Sequence, residues 1–303
     1  MLKLITNTRP EMKQTTKEKG VKQTPAAKFN FIPLVPDDHG AYVMLLFPLV
    51  VGIVVGIAQN SPANQISILA FVFLSLLLLA AFFAHAPLEV VFKPNVNDRA
   101  RHRAQTWLVI YGIILAASGI SLLLAWQLWG ILWLALPAIV PLVVDLISRK
   151  SRKQRSLGVR LTGIGGLVLS APAGYYVATG KLDTLALGLW AVNLIYYGSS
   201  LFYVRVWFEA RRLEKVRKPG QTLVPDWLLK ITLIYHSLGL LLFVGLALWG
   251  ILPWTALLAF APLGFKLGMA LRRPPINIPI KQVGLFELSQ SLVFTFLLIL
   301  ALR

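Results

Sequence analysis

One glutamate, Glu287, stands in the run "VGLFELSQSLVF" with nothing beside it to neutralise its charge. A charged side chain inside an apolar helix costs about 2.5–3.5 kcal/mol on insertion scales, so Glu287 is expected to face other helices and to find a proton or a cation there. Arg205 and Arg99 are the expected cations. Further polar groups gather at similar depth. His85 and Glu89 are four apart and share a helix face. "NVNDRARHR" at 95–103 brings together Asn97, Asp98, Arg99, Arg101, His102 and Arg103, while Asn193, Tyr197 and Arg205 fall near one stripe. Glu209 follows Arg205 by four, and His236 stands alone in an apolar run. "PDDHG" at 36–40 sets Asp37, Asp38 and His39 against an apolar wall. An acid there complements the positive start of a helix by about 0.3–1 kcal/mol. Capping does not account for His39, which is placed at the mouth of a cavity.

Guanidinium forks match the oxygens of phosphates and carboxylates, so this set points to an anionic head group. The ligand-binding candidates are Asp37, His39, Asn97, Asp98, Arg99, Arg103, Asn193, Arg205, Glu209, His236 and Glu287. All but Asp37, His39 and Asn193 are expected to converge on one pocket open to the cytoplasm.

The elements that position these groups follow from composition. Of 303 residues, 57% are hydrophobic and 14% charged, with a mean hydropathy of +0.70. A soluble domain would carry roughly 25% charged residues, so lipid is the solvent here. Nine apolar stretches, 40–58, 64–85, 107–125, 129–147, 160–178, 183–204, 228–249, 252–271 and 281–301, each approach the roughly 20 residues that cross a bilayer. Backbone groups in hydrocarbon must bond internally, which makes these helices; a β-barrel would show shorter, alternating segments. The expected fold is an all-α bundle of nine membrane helices, residues 39–303. Residues 1–38, polar and lysine-rich, read as a disordered basic tail. No cysteine is present, which excludes disulfides and thiolate metal sites.

The net charge of +18 would suit nucleic acid, but its distribution assigns it to topology instead. With the amino terminus in the cytoplasm, 28 of the 30 Lys and Arg fall on the cytoplasmic side, leaving only Lys181 and Arg303 outside. Trp126, Trp129, Trp249 and Trp254 mark the outer interface, and Trp107, Trp207 and Trp227 the inner one. Such a bias predicts a multi-pass membrane protein with its amino terminus in the cytoplasm and its carboxyl terminus outside. Reporter fusions after residues 60, 127, 180 and 250 are therefore expected to report the outer face; a cytoplasmic signal at any of them breaks the nine-helix scheme. Glycine pairs at Gly52/Gly56 and Gly264/Gly268, and "TGIGG" at 162–166, read as close helix contacts rather than phosphate loops, since no strand precedes them.

"HGAYVMLLFPLVVG" at 39–52 resembles the opening of the YwiC-like family of bacterial membrane proteins, through His39, Gly40, Ala41 and Met44. The resemblance runs on to "KQVGLFELSQSLVF" and implies a topology rather than an activity. In helix number the chain is also similar to UbiA-type prenyltransferases. These hold magnesium and an isoprenoid diphosphate with aspartate-rich motifs after helices two and six. Here Asn97 and Asp98 occupy the first position, with Arg101 where the next aspartate would stand. Glu209 and Glu214 lie among arginines at the second. Magnesium is poorly served by such a set. Three readings follow: a protein that binds or transforms an isoprenoid or other anionic lipid, an organic-anion transporter, and a non-catalytic protein that organises membrane lipid or an assembly.

Overall fold

In a chain this apolar, helix ends are set where a polar side chain can satisfy the first free backbone amides. Ser67 accepts from Ala70 N–H at 3.4 Å, Asn97 from Arg99 N–H at 3.1 Å, and Asp183 from both Leu185 and Ala186 N–H at 3.1 Å. Prolines 225 and 279 open two further helices, and Gly180, at φ +70°, closes another in the left-handed region. The computed structural model describes residues 32–59, 67–150, 156–215, 223–272 and 278–303, with backbone only at 149–150 and 270–272. Leu34–Arg303 forms one compact unit, separate from Met1–Pro33. The expected tail therefore lies almost wholly outside the described residues.

The helices are α1 (His39–Gln59), α2 (Ile68–Phe92), α3 (Asp98–Ala125), α4 (Ile131–Lys150), α5 (Leu157–Leu167), α6 (Ser170–Thr179), α7 (Thr184–Glu214), α8 (Asp226–Leu248), α9 (Ala261–Arg272) and α10 (Ile280–Leu302); a 3-10 segment, Trp254–Phe260, leads into α9. Among the described residues, eight spans are long and apolar enough to cross a membrane, α5 and α6 acting as one. A shorter apolar span, Trp254–Met269, makes the ninth. The chain is thus an all-α, multi-pass membrane protein. α7 is the most enclosed helix, whereas α2, α3 and α4 turn most of their surface outward, toward lipid.

α1 crosses α6 at very short range. A Cβ on Gly52 would overlap the Ala171 carbonyl, and one on Gly56 would sit 2.6 Å from the Ala178 Cβ. By contrast, a Cβ on Gly264 or Gly268 meets nothing, so the second glycine pair is not a packing contact. The main core joins α1, α5, α6, α7, α8, the 3-10 segment and α10. A second cluster joins α1, α2, α6 and the α3–α4 turn, and a third sits where α7, α8 and α10 meet.

Two sequence expectations change. Three helices run past the apolar stretches: α2 continues to Phe92, α3 begins at Asp98, and α7 continues to Glu214. "EARRLE" is made of good helix formers with no breaker, so the amphipathic extension costs little. Arg205 and Glu209 are consequently helical rather than in a loop. Trp107 and Trp207 are buried within the bundle instead of marking its interface, while Trp129, Trp227, Trp249 and Trp254 remain exposed.

Candidate functional site

The lysine on α9 decides the fate of Glu287. α9 packs against α7 and α10, and its Lys266 is 1% exposed. Lys266 Nζ donates to Glu287 Oε2 at 2.9 Å and to Ser200 Oγ at 2.9 Å, and lies 4.8 Å from the centre of the Tyr196 ring. Two oxygens and an aromatic face thus hold the ammonium. The expected partners, Arg205 and Arg99, are not used. Arg205 places its guanidinium 5.4 Å from the Trp227 ring, and Arg99 is exposed in the first turn of α3. An arginine near a helix end is drawn to the aqueous boundary, whereas Lys266, six residues before Arg272, lies too deep to reach it.

The platform beneath the pair is rigid. Tyr196 stacks on Phe294 at 3.7 Å and 5°, and Tyr197 meets both rings edge-on. Ser291 and Thr295 of α10 lie beside the two phenols. Glu287 is 16% exposed, and its Oε1 is buried with no hydrogen-bond partner among the described residues. Asn193 is fully buried; its Nδ2 donates to the Leu189 carbonyl at 2.8 Å and its Oδ1 has no partner among the described residues.

His236 enters from α8. Its Nδ1–H donates to the Thr232 carbonyl at 2.7 Å, which fixes the ring. In the neutral ring this leaves Nε2 to accept from the Ser199 hydroxyl at 2.8 Å. A cavity of about 10 Å³, room for about one water, lies among Ser199, Tyr203, Thr232, His236 and Lys266. On the other side of Tyr203 a groove of about 220 Å³ opens, lined by Phe265, Met269, Ile278, Gln282, Val283 and Phe286. Tyr203 is a shared wall, so the small cavity, which Val206 and Leu267 also line, adjoins a largely apolar groove.

The remaining candidates lie elsewhere. Asn97 spends its Oδ1 on the α3 cap, and Asp98 is exposed beside it. Arg103 is half-buried on α3. Glu209 faces Arg212 at 3.7 Å on its own helix. Asp37 and His39 are exposed, with His39 Nδ1–H donating to the Asp37 carbonyl at 2.8 Å. Of the eight residues expected to converge, the structure brings His236 and Glu287 together, both through Lys266.

Asp98 and Glu209 join no three-ligand group among the described residues. His85, Glu89 and Asp145 do, with donor atoms all within 4.8 Å. Such an N,O,O set could hold a divalent cation. As it stands, the ring bridges α2 and α4, with Nδ1 3.4 Å from Glu89 and Nε2 3.2 Å from Asp145. The sequence signalled His85 and Glu89 by their spacing, but gave no pointer to Asp145, sixty residues away. Lys266 did leave a signal. It is the one cation in "APLGFKLGMAL", and its depth distinguishes it from the arginines that follow.

Comparison with known proteins bears on the chain as a whole. Residues 35–175 match the family described as YwiC-like protein. An uncharacterized protein of Haemophilus influenzae (strain ATCC 51907 / DSM 11121 / KW20 / Rd) is 27% identical over 271 residues, covering 88% of this chain and 98% of that protein. No solved structure matches.

Proposed function

We propose, from the match of residues 35–175 to the YwiC-like family, that the chain binds an anionic amphiphile, such as an isoprenoid or acyl-tailed phosphate, at the basic, cytoplasm-facing end of α7–α10. The observation that carries this reading is Lys266, a buried cation inside the bundle beside an apolar groove. An intramembrane charge of this kind is costly and is kept for a ligand or a pathway more often than for stability. The head group would approach Lys266 past the Tyr203 hydroxyl and Gln282. The start of the tail would lie along Phe265, Met269 and Phe286 and continue into lipid. Binding rather than prenyl transfer is the reading, because Asn97, Asp98 and Glu209 are engaged in a cap, exposed, and paired with arginine respectively.

The test is a thermal shift of the detergent-solubilised full chain. Lysophosphatidylglycerol, with an anionic head, is expected to raise the melting temperature as its concentration passes the Kd. Lysophosphatidylcholine, with the same tail and a zwitterionic head, is expected to do so far less. Met269→Trp fills the groove without touching the ion pair and should abolish the difference. Equal shifts from both lipids, or an undiminished shift in Met269→Trp, would defeat the reading.

A further inference from the structure

Lys266 and Glu287 are neutral as a pair, and that neutrality governs what a third charge can do there. The ammonium is already committed to Glu287 Oε2, Ser200 Oγ and the Tyr196 ring. An anion brought against Lys266 would leave two negative groups sharing one cation in a low-dielectric interior, where like charges strongly disfavour joint ionisation. Among the described residues, the groups packed around the pair supply no second cation. α7 offers Tyr196, Tyr197 and Tyr203, and α8 offers His236. α1 and the 3-10 segment, which also pack on α10, contain no ionisable side chain except His39 and Tyr42 at the start of α1. Arg205 is directed to Trp227, and Lys281 is exposed six residues before Glu287.

We propose that the site takes up its anion together with one proton, which is received by Glu287 as Lys266 turns from the carboxylate to the incoming head group. The inference rests on the anion-binding reading above. Two features select Glu287 over His236. Glu287 Oε1 is already buried without a hydrogen-bond partner among the described residues, so the carboxylate depends on Lys266 alone. His236 has both ring nitrogens engaged, and a proton on Nε2 would force the Ser199 hydroxyl to turn round. The water-sized cavity between Ser199, His236, Lys266 and Tyr203 provides a place for the proton's last carrier. Because linkage is reciprocal, the anion binds more tightly as pH falls, by about tenfold per unit where one full proton enters with each anion.

Isothermal titration calorimetry of the solubilised full chain with lysophosphatidylglycerol tests this. Its phosphodiester keeps one charge across the range used, so any proton exchanged belongs to the protein. Titrations at one pH in phosphate and in Tris, buffers of low and high ionisation enthalpy, are expected to differ by the heat of one proton absorbed per lipid bound. Glu287→Gln should bind with heats that no longer depend on buffer, while His236→Asn should keep the dependence. Saturable binding with buffer-independent heats in the wild type would overturn the coupling and leave the binding reading intact. No saturable binding at all would overturn both. Uptake that survives Glu287→Gln and disappears in His236→Asn would remove Glu287 from the role. If Glu287→Gln does not fold, the two-buffer comparison on the wild type still decides whether a proton enters.

Discussion

Lys266→Met is expected to lower the melting temperature of the solubilised protein more than any other single charge substitution in the bundle. Methionine fills much of the same space but leaves Glu287 as a buried charge whose remaining oxygen already lacks a partner. Breaking a buried pair on one side typically costs about 3–5 kcal/mol. Glu287→Gln should also destabilise, since it strands the ammonium on Ser200 and the Tyr196 ring. Removing both charges in Lys266→Met/Glu287→Gln should recover most of the loss, because the desolvation penalty disappears with the attraction. Purely additive losses would mean the two residues do not act as a pair. Arg205→Gln is the control. It removes a cation only half-buried over Trp227, an interaction of about 0.5–1 kcal/mol.

Gly52→Ala should give the second large effect. The added methyl would have to occupy the place of the Ala171 carbonyl, and neither backbone can move without separating α1 from α6 along their length. Overpacking typically costs about 1–3 kcal/mol, and a backbone obstacle belongs at the upper end. Gly264→Ala, with open space at its Cβ, should be neutral or stabilising, by up to about 1 kcal/mol of helix propensity. Fluorescence-detected size exclusion after heating compares the two directly. Equal behaviour would contradict the α1–α6 packing described above.

These two glycine pairs explain how much of the molecule could be read in advance. Both have the same four-residue spacing, and spacing alone cannot say which helix, if any, stands opposite. Apolar run length is different in kind. It responds to lipid thickness, a property of the surroundings, so all nine stretches emerged with the correct helical character. Their ends were less legible where α2, α3 and α7 continue as amphipathic extensions, because hydropathy falls while the backbone remains helical. Glu287 was recognisable as needing a partner from its burial cost alone. Its partner was not, because abundance of arginine in the flanking segments favoured the wrong cation. What decided the pairing was depth: Lys266 and Glu287 meet inside the bundle, whereas Arg205 reaches back to Trp227. Ser199 and Ser200, two unremarkable positions on α7, became visible only once α8 and α9 were in place beside them.

The claim that the Lys266–Glu287 centre and its adjoining groove form a site for an anionic amphiphile is tested most directly by native mass spectrometry. Protein gently extracted from its membrane would be compared with Lys266→Met/Glu287→Gln, the variant expected to stay folded while losing the cation. The wild type is predicted to retain one anionic lipid at a fixed stoichiometry, and the double variant to release it. Equal retention of the same lipid by both proteins would contradict the account.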